Sequence, residues 1–223
     1  MYEVVKREEP SLLHRAENPN FAVHHISLPF RAVIVAPSGS GKTNFLLNMI
    51  SLFSQGKGTF SKIFVCTKDA DEPLYNFLGK KSDSIVISEG VSSLPKLDAK
   101  TFDKTENALV VIDDLVLSKN LDSVCDYYVR FRKLGVSVVF ISQSFFKIPK
   151  IIRGNCSLVI ILKLSGQRDA NLILSEFSLG ITKQQLLDLY EYATSQKFSA
   201  LVVDLEADKS KRFRKNFDEF LPV

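Results

Sequence analysis

Residues 31–43 read RAVIVAPSGSGKT, an apolar run that leads directly into a loop rich in glycine and serine. Residues 36–43 fit the pattern GxxxxGK[ST], except that alanine replaces the first glycine. Gly39 and Gly41 allow the positive φ values that bring successive backbone N–H groups around a phosphate. A helix that begins near Lys42 would add its positive N-terminal end. The stretch therefore predicts a strand, a phosphate-binding loop and a helix.

The residues of this loop (Walker A) have expected roles toward a nucleotide. Lys42 is predicted to reach the β- and γ-phosphates, and the Thr43 hydroxyl is predicted to be a ligand of Mg²⁺. We find no NKxD motif for reading guanine, so the predicted cofactors are ATP and Mg²⁺. The predicted nucleotide-binding residues are consecutive: Pro37, Ser38, Gly39, Ser40, Gly41, Lys42, Thr43 and Asn44.

Apolar, β-branched runs alternate along the chain with segments of helical character. The runs after the first one lie at 62–67, 84–87, 108–112, 136–142, 158–162 and 200–204. The helical candidates lie at 42–53, 73–78, 121–134, 168–177 and 182–193, the last with a capping box from Thr182 to Gln185. Strands that are apolar on both faces belong in a parallel sheet between helices. The predicted fold is α/β, with a mainly parallel central sheet covered by helices on both faces.

Two carboxylates and an amide follow two of these strands. Asp113 follows the run at 108–112 and is predicted to ligate Mg²⁺ as Walker B, with Asp114 as the group that activates the attacking water. At least one strand lies between the P-loop and Asp113, which favours the ASCE, RecA-like branch of P-loop NTPases over kinases and GTPases. Gln143 follows the run at 136–142 and either contacts the attacking water or γ-phosphate, or is a surface glutamine.

Three arginines near the predicted catalytic strands could stabilise the charge that develops on a transferred phosphoryl group. Arg130 and Arg132 precede the strand at 136–142, and Arg153 follows it. We favour Arg132 and Arg153 because they flank that strand, and such an arginine is often supplied by a neighbouring subunit. The alternative for each is an ordinary solvated or ion-paired arginine.

Composition and charge suit a soluble globular chain. Of 223 residues, 45% are hydrophobic and 24% charged, and 29 Lys and Arg against 25 Asp and Glu leave a net charge of +4. We predict an N-terminal arm (1–29), an ATPase core (30–207) and a basic C-terminal tail (208–223), with neither a signal peptide nor a membrane span. The mildly basic charge is compatible with nucleic acid as a partner, and the basic residues gather in two places, Lys147 with Lys150, and Lys209, Lys211, Arg212, Arg214 and Lys215. For the tail, a solvated terminal helix or a docking segment for the next subunit are the alternatives.

Several of these segments together resemble a known group of proteins. The loop at 36–43, the pair Asp113-Asp114 and the segment 132–143 (RKLGVSVVFISQ) are similar to the FtsK–HerA superfamily. With the segment 67–78 (TKDADEPLYNFL), they resemble more narrowly the poxvirus-type genome-packaging ATPases of large DNA viruses and virophages. Asp114 stands where many members of the superfamily have glutamate, which is one methylene longer.

The resemblance implies a homo-oligomeric ring that hydrolyses ATP and translocates double-stranded DNA into a preformed capsid. Its implied partners are double-stranded DNA, for which the basic residues at 147–150 and 209–215 are the candidate contacts, and a capsid or portal-vertex protein. Its implied location is the viral factory of the host cytoplasm or the virion, and the protein is not expected to be secreted. Two alternatives remain open: a DNA helicase or conjugation-type pump of the same superfamily, and a nucleotide-gated assembly subunit with little turnover.

Overall fold

The computed structural model describes residues 17–103, 105–115, 121–130, 134–177 and 179–223. Its strands are β1 (Arg31–Val35), β2 (Lys62–Thr67), β3 (Ile85–Glu89), β4 (Ala108–Asp113), β5 (Val136–Ser142), β6 (Leu158–Leu162), β7 (Ala200–Asp204), β8 (Phe213–Lys215) and β9 (Glu219–Phe220). Its α-helices are α1 (Phe21–His24), α2 (Lys42–Phe53), α3 (Pro73–Gly79), α4 (Asp122–Arg130), α5 (Lys150–Arg153), α6 (Gln167–Ser175) and α7 (Lys183–Ala193).

The strands form one sheet in the order β3-β2-β4-β5-β1-β6-β7-β8-β9. The strands from β3 to β6 in this order are parallel, whereas β7, β8 and β9 each pair antiparallel with the strand before. The predicted α/β fold with a mainly parallel sheet is confirmed. Since β5 lies between β1 and β4, the residues that follow these three strands meet at one edge of the sheet.

Both faces of the sheet are buried, each under a different set of helices. Along β1, Ala32 and Ile34 belong to the core beneath α2 and α3, while Val33 and Val35 belong to the core beneath α4, α5, α6 and α7. The first helix after the P-loop inserts Leu46 and Phe53 into its core without solvent exposure. This two-sided burial explains why the central strands are apolar throughout rather than alternating. It also anchors α2, and with it the loop that precedes the helix.

The capping box predicted for the helix at 182–193 is present. The Thr182 hydroxyl accepts a hydrogen bond from the Gln185 backbone N–H, and the Gln185 side chain accepts one from the Thr182 backbone. Two backbone N–H groups at the start of α7 are thereby satisfied, which fixes where this helix begins.

The predicted C-terminal tail is instead part of the sheet. Phe213–Lys215 forms β8 on β7, and Glu219–Phe220 adds β9 at the edge. The Arg214 side chain is 1% exposed and donates to the Asp204 carboxylate at 2.8 Å. The segment is structured because this buried carboxylate supplies the counter-charge that lets a basic strand enter the core.

The described part of the predicted N-terminal arm packs against the P-loop helix. The Asn20 side chain donates to the Phe53 backbone carbonyl at 2.9 Å, and His24 lies in α1 with no exposed surface. Residues 1–16 lie outside the described residues. Within the described ranges, no helix combines the length and apolar character needed to cross a bilayer.

Candidate active site

The P-loop lies between the carboxyl end of β1 and the start of α2. Gly41 is the N-cap of α2 and has φ +92°, and Gly39 has φ +74°. The Ser40 hydroxyl donates to the Pro37 carbonyl at 2.6 Å, which closes the turn of the loop. A Cβ added at Gly39 would meet no atom within 4 Å, so the loop opens onto free space at this point. The two glycines thus have the positive φ predicted for this loop, and its binding of phosphate stays a prediction.

The paired carboxylates end β4 on the same edge of the sheet. The register of β4 and β5 places Asp113 opposite Ile141, and the Asp114 backbone N–H donates to the Ile141 carbonyl at 3.1 Å. Asp114 itself has φ +54°, a left-handed conformation that aspartate adopts more readily than most residues. The chain therefore turns at Asp114, directly after the strand.

Asp113 is buried and is held by a tyrosine. The Tyr75 hydroxyl in α3 donates to Asp113 Oδ2 at 2.6 Å, and neither side chain has more than 5% of its surface exposed. Burial raises the pKa of Asp113 to about 6, while the Tyr75 hydrogen bond and the Lys42 charge act in the opposite direction. Burial likewise raises the pKa of Tyr75. Tyr75 is therefore a neutral donor that orients the carboxylate.

Gln143 connects β5 to the carboxylate pair. Its Nε2 donates to Asp114 Oδ2 at 2.9 Å. The Ala36 backbone N–H donates to the Ser142 carbonyl at 3.1 Å, at the point where the P-loop follows β1. Gln143 is the next residue in the chain after Ser142, so it lies beside the start of the P-loop. The structure thus brings together the P-loop and two residues predicted for water activation. Their catalytic roles stay predictions.

These groups line one cleft of about 480 Å³ at the carboxyl edge of the sheet. Sequence reasoning missed several of its lining residues, namely Thr67, Lys68, Asp69, Glu72, Leu74 and Phe198. It also missed Tyr75, which lies beneath the cleft. A buried phenol in a short helix calls for a hydrogen-bond partner, but nothing in its spacing from Asp113 identifies that partner.

The residues of the cleft fit Mg²⁺. Asp113 Oδ1 is buried without a hydrogen-bond partner among the described residues, which leaves it a free oxygen ligand. Thr43 lines the same cleft. Within the described residues, no group of three or more His, Cys, Asp or Glu could hold a metal ion. Mg²⁺ commonly binds one or two protein oxygens together with phosphate oxygens of a substrate, and Thr43 and Asp113 are the residues that would supply the protein oxygens here.

Of the predicted arginines, the two that the structure describes, Arg130 and Arg153, do not line the cleft. Arg153 Nη1 lies 2.5 Å from Glu176 Oε2, and its guanidinium lies 5.2 Å from the Phe145 ring centroid. Arg130 is exposed and lies 3.9 Å from Asp126 in its own helix. Arg132 lies outside the described residues.

The predicted DNA contacts divide into exposed and buried residues. Lys147, Lys150, Lys209 and Lys211 are exposed, whereas Arg212 is partly buried. Arg214 and Lys215 are buried, at 1% and 8% exposed. These two predictions are corrected, because side chains used inside the sheet offer no surface to DNA.

A mostly parallel sheet with one strand between the P-loop strand and the Walker B strand defines a P-loop NTPase of the ASCE, RecA-like class. Within that class, the family described as "Poxvirus A32 protein" matches residues 20–208, and the chain belongs to this family. The chain is 26% identical over 195 residues to the DNA packaging protein OPG160 of vaccinia virus (strain Copenhagen), a match that covers 80% of this chain and 70% of that protein.

Solved structures share the fold. The DNA-packaging ATPase B204 of Sulfolobus turreted icosahedral virus has a TM-score of 0.61 at 14% identity, over 89% of this chain and 100% of that one. B204 of Sulfolobus turreted icosahedral virus 2 in complex with AMPPCP gives 0.60 at 14% identity, over 89% and 100%. The pCW3 conjugation coupling protein TcpA gives 0.52 at 15% identity, over 86% of this chain and 60% of that chain.

Proposed function

We propose that this chain is an ATPase that drives double-stranded DNA into a viral capsid. The observation that carries the proposal is the Gln143–Asp114 hydrogen bond of 2.9 Å, made directly beside the P-loop. A cleft that only bound nucleotide would not need a carboxylate oriented by an amide at this point. Membership of the poxvirus A32 family and the likeness to a vaccinia DNA packaging protein support the coupling to packaging.

The side chains of the cleft have different proposed roles in ATP hydrolysis. The P-loop N–H groups and Lys42 bind the phosphates, and Thr43 with Asp113 would hold Mg²⁺, which supplies charge neutralisation on the phosphate oxygens when bound. Asp114 accepts a proton from the attacking water, and Gln143 fixes the carboxylate for that purpose. Tyr75 holds Asp113 in place from below the cleft.

We propose that the site is completed between subunits of a homo-oligomer. Of the described residues that line the cleft, the cations are Lys42 and Lys68, against four carboxylates, Asp69, Glu72, Asp113 and Asp114. Arg153 is engaged by Glu176 in its own chain. An additional positive charge from a neighbouring copy would stabilise the charge that develops on the γ-phosphate. ATP turnover per chain is then expected to rise steeply with protein concentration.

The cleft roles are tested by single substitutions in the full chain. We expect Lys42→Ala to abolish ATP hydrolysis, and Asp114→Asn to keep ATP binding while turnover falls about 10²–10⁴-fold, the usual contribution of a general base. The matched control is Asp83→Asn, which changes an exposed carboxylate outside the cleft lining. Hydrolysis by Asp114→Asn at the wild-type rate would show that another group activates the water.

Coupling to DNA is tested by the response of hydrolysis to duplex DNA. We expect duplex DNA to raise the ATPase rate of the wild-type chain and to be moved in a triplex-displacement assay. Separation of the duplex strands would indicate a helicase instead. Nucleotide-dependent oligomers with negligible turnover would indicate an assembly subunit.

The exposed lysines are the proposed DNA contacts. A double variant Lys147→Ala, Lys150→Ala should weaken duplex binding for all sequences and lower the slope of log K against log salt by about 2, since each phosphate contact contributes about 0.9. The pair Lys209→Ala, Lys211→Ala tests the second cluster in the same way. Lys80→Ala, an exposed lysine outside both clusters, is the control. An unchanged slope for both double variants would place the DNA elsewhere.

A further inference from the structure

An aromatic side chain lies at the mouth of the nucleotide cleft. Phe198 lines the cleft together with Gly41, Thr43 and Asn44. It comes from the loop between α7 and β7, and the antiparallel pairing of β7 with β6 places Ala200 opposite Leu162. The reversed direction of β7 thus brings the residues before it to the carboxyl edge of β6, beside the P-loop strand β1.

Phe198 contacts the P-loop directly. A Cβ built on Gly41 would lie 2.2 Å from Phe198 Cδ1 and 2.8 Å from Cε1, so the ring rests against the glycine at the start of α2. The ring is nevertheless 43% exposed, and the Lys197 ammonium lies 4.9 Å from its centroid. The Phe198 ring is therefore partly exposed at the border of the nucleotide cleft, with the Lys197 ammonium beside it.

The backbone of Phe198 is held in an unfavourable conformation. Its φ is +68°, in the left-handed region that bulky side chains rarely adopt. The next two residues are each held by a hydrogen bond, since the Ser199 hydroxyl donates to the Gln196 carbonyl at 2.7 Å and the Ala200 N–H donates to Asn216 Oδ1 at 3.2 Å. Strained residues that persist in this way are concentrated at ligand clamps and active sites.

We propose that Phe198 is the surface on which the base of the nucleotide stacks, a role that rests on the ATP-binding function proposed above. When the phosphates of a nucleotide occupy the P-loop, the base is left room beside the first turn of α2, where Thr43, Asn44 and Phe198 line the same cleft. Every nucleobase has a π-face, and stacking on an aromatic ring contributes binding without reading base identity. The site therefore takes nucleoside triphosphates as a class and holds them at both ends.

The test compares two ligands that differ in the base. Binding of ATP and of inorganic tripolyphosphate, each with Mg²⁺, is measured by calorimetry on the full chain. Phe198→Ala should weaken ATP binding by about 10–100-fold, the range of base–aromatic stacking, and leave tripolyphosphate binding unchanged. Phe21→Ala, which removes a ring of similar exposure (46%) from α1, is the control and should change neither.

A second variant gives a spectroscopic readout that does not depend on the stability of Phe198→Ala. The chain contains no tryptophan, so Phe198→Trp introduces a single indole. Its emission should be quenched by ATP and unaffected by tripolyphosphate, and its ATP affinity should be close to that of wild type.

The outcomes separate this inference from the proposed function. If wild type does not bind ATP, the ATPase proposal fails. If wild type binds ATP and Phe198→Ala binds it equally well, or loses both ligands equally, the stacking role alone is overturned. An indole emission that responds identically to both ligands would also overturn it.

Discussion

A methyl group added at Gly41 would collide with the ring of Phe198, and the size of this effect can be worked out from the structure. The added Cβ would lie 2.2 Å from Cδ1, far inside van der Waals contact, and would require a left-handed backbone at φ +92°. An L-residue in that region costs about 1–2 kcal/mol, and forcing extra volume into a packed contact costs about 1–3 kcal/mol. Gly41→Ala should therefore lower the free energy of unfolding by about 2–5 kcal/mol.

The two contributions can be separated with a double-mutant cycle. In a Phe198→Ala background the collision is removed but the backbone strain remains, so Gly41→Ala should then cost about 1–2 kcal/mol. Gly39→Ala is the matched control, because Gly39 also has positive φ (+74°) but has no atom within 4 Å of an added Cβ. Its cost should be about 1–2 kcal/mol in both backgrounds.

Urea denaturation followed by circular dichroism measures all of these free energies, and it suits a chain without tryptophan. The expected coupling energy between Gly41 and Phe198 is about 1–3 kcal/mol. If Gly41→Ala and Gly39→Ala cost the same in both backgrounds, Phe198 does not rest on the P-loop. The base-stacking proposal would then lose its geometric basis.

Three further predictions concern buried polar groups. Tyr75→Phe removes the donor to Asp113 and should weaken Mg²⁺ binding about 10–100-fold in a titration of the ATP complex, whereas an unchanged affinity would deny the tyrosine a positioning role. Burial lowers the pKa of His24 from 6.5 to about 4. The free energy that the buried neutral imidazole contributes to folding is therefore complete above pH 6.5, and up to about 3 kcal/mol of it is lost as the pH falls toward 4. Urea unfolding at pH 7 and 4.5 should show this loss in wild type and not in His24→Gln. Equal losses in the two proteins would be evidence against a buried neutral His24. Asp204→Asn leaves the buried Arg214 charge unpaired and should cost about 3–5 kcal/mol in urea unfolding, and a change below about 1 kcal/mol would contradict the pairing.

The sequence predicted the features that depend on local pattern. All seven apolar runs form strands, because β-branched residues buried on both sides leave few alternatives. The P-loop has the expected conformation since its glycines and the following helix are contiguous in the chain. Asp113, Asp114 and Gln143 lie together because the ends of neighbouring parallel strands share one edge, and their catalytic roles stay predictions.

The features that the sequence did not predict depend on partners that are distant in the chain. The basic strand β8 reads as a solvated tail until Asp204 is seen to neutralise Arg214 within the core. In the sequence Tyr75 is an ordinary core residue of a predicted helix. Its hydrogen bond to Asp113 is seen only once the fold packs α3 against β4. Phe198 reads as a turn residue, since no pattern in the sequence tells that β7 runs antiparallel.

The antiparallel end of the sheet therefore shapes both proposed functions. Reversal at β7 brings the loop with Phe198 to the P-loop, where a nucleotide base can be held. Continuation through β8 and β9 removes two of the five basic residues at 209–215 from solvent, since Arg214 and Lys215 become buried. Sequence-independent binding to DNA requires exposed cations that reach phosphates. The same strands that complete the nucleotide site thus restrict the proposed DNA contacts to lysines outside the sheet, on the turns at 145–147 and 209–211 and at the start of α5.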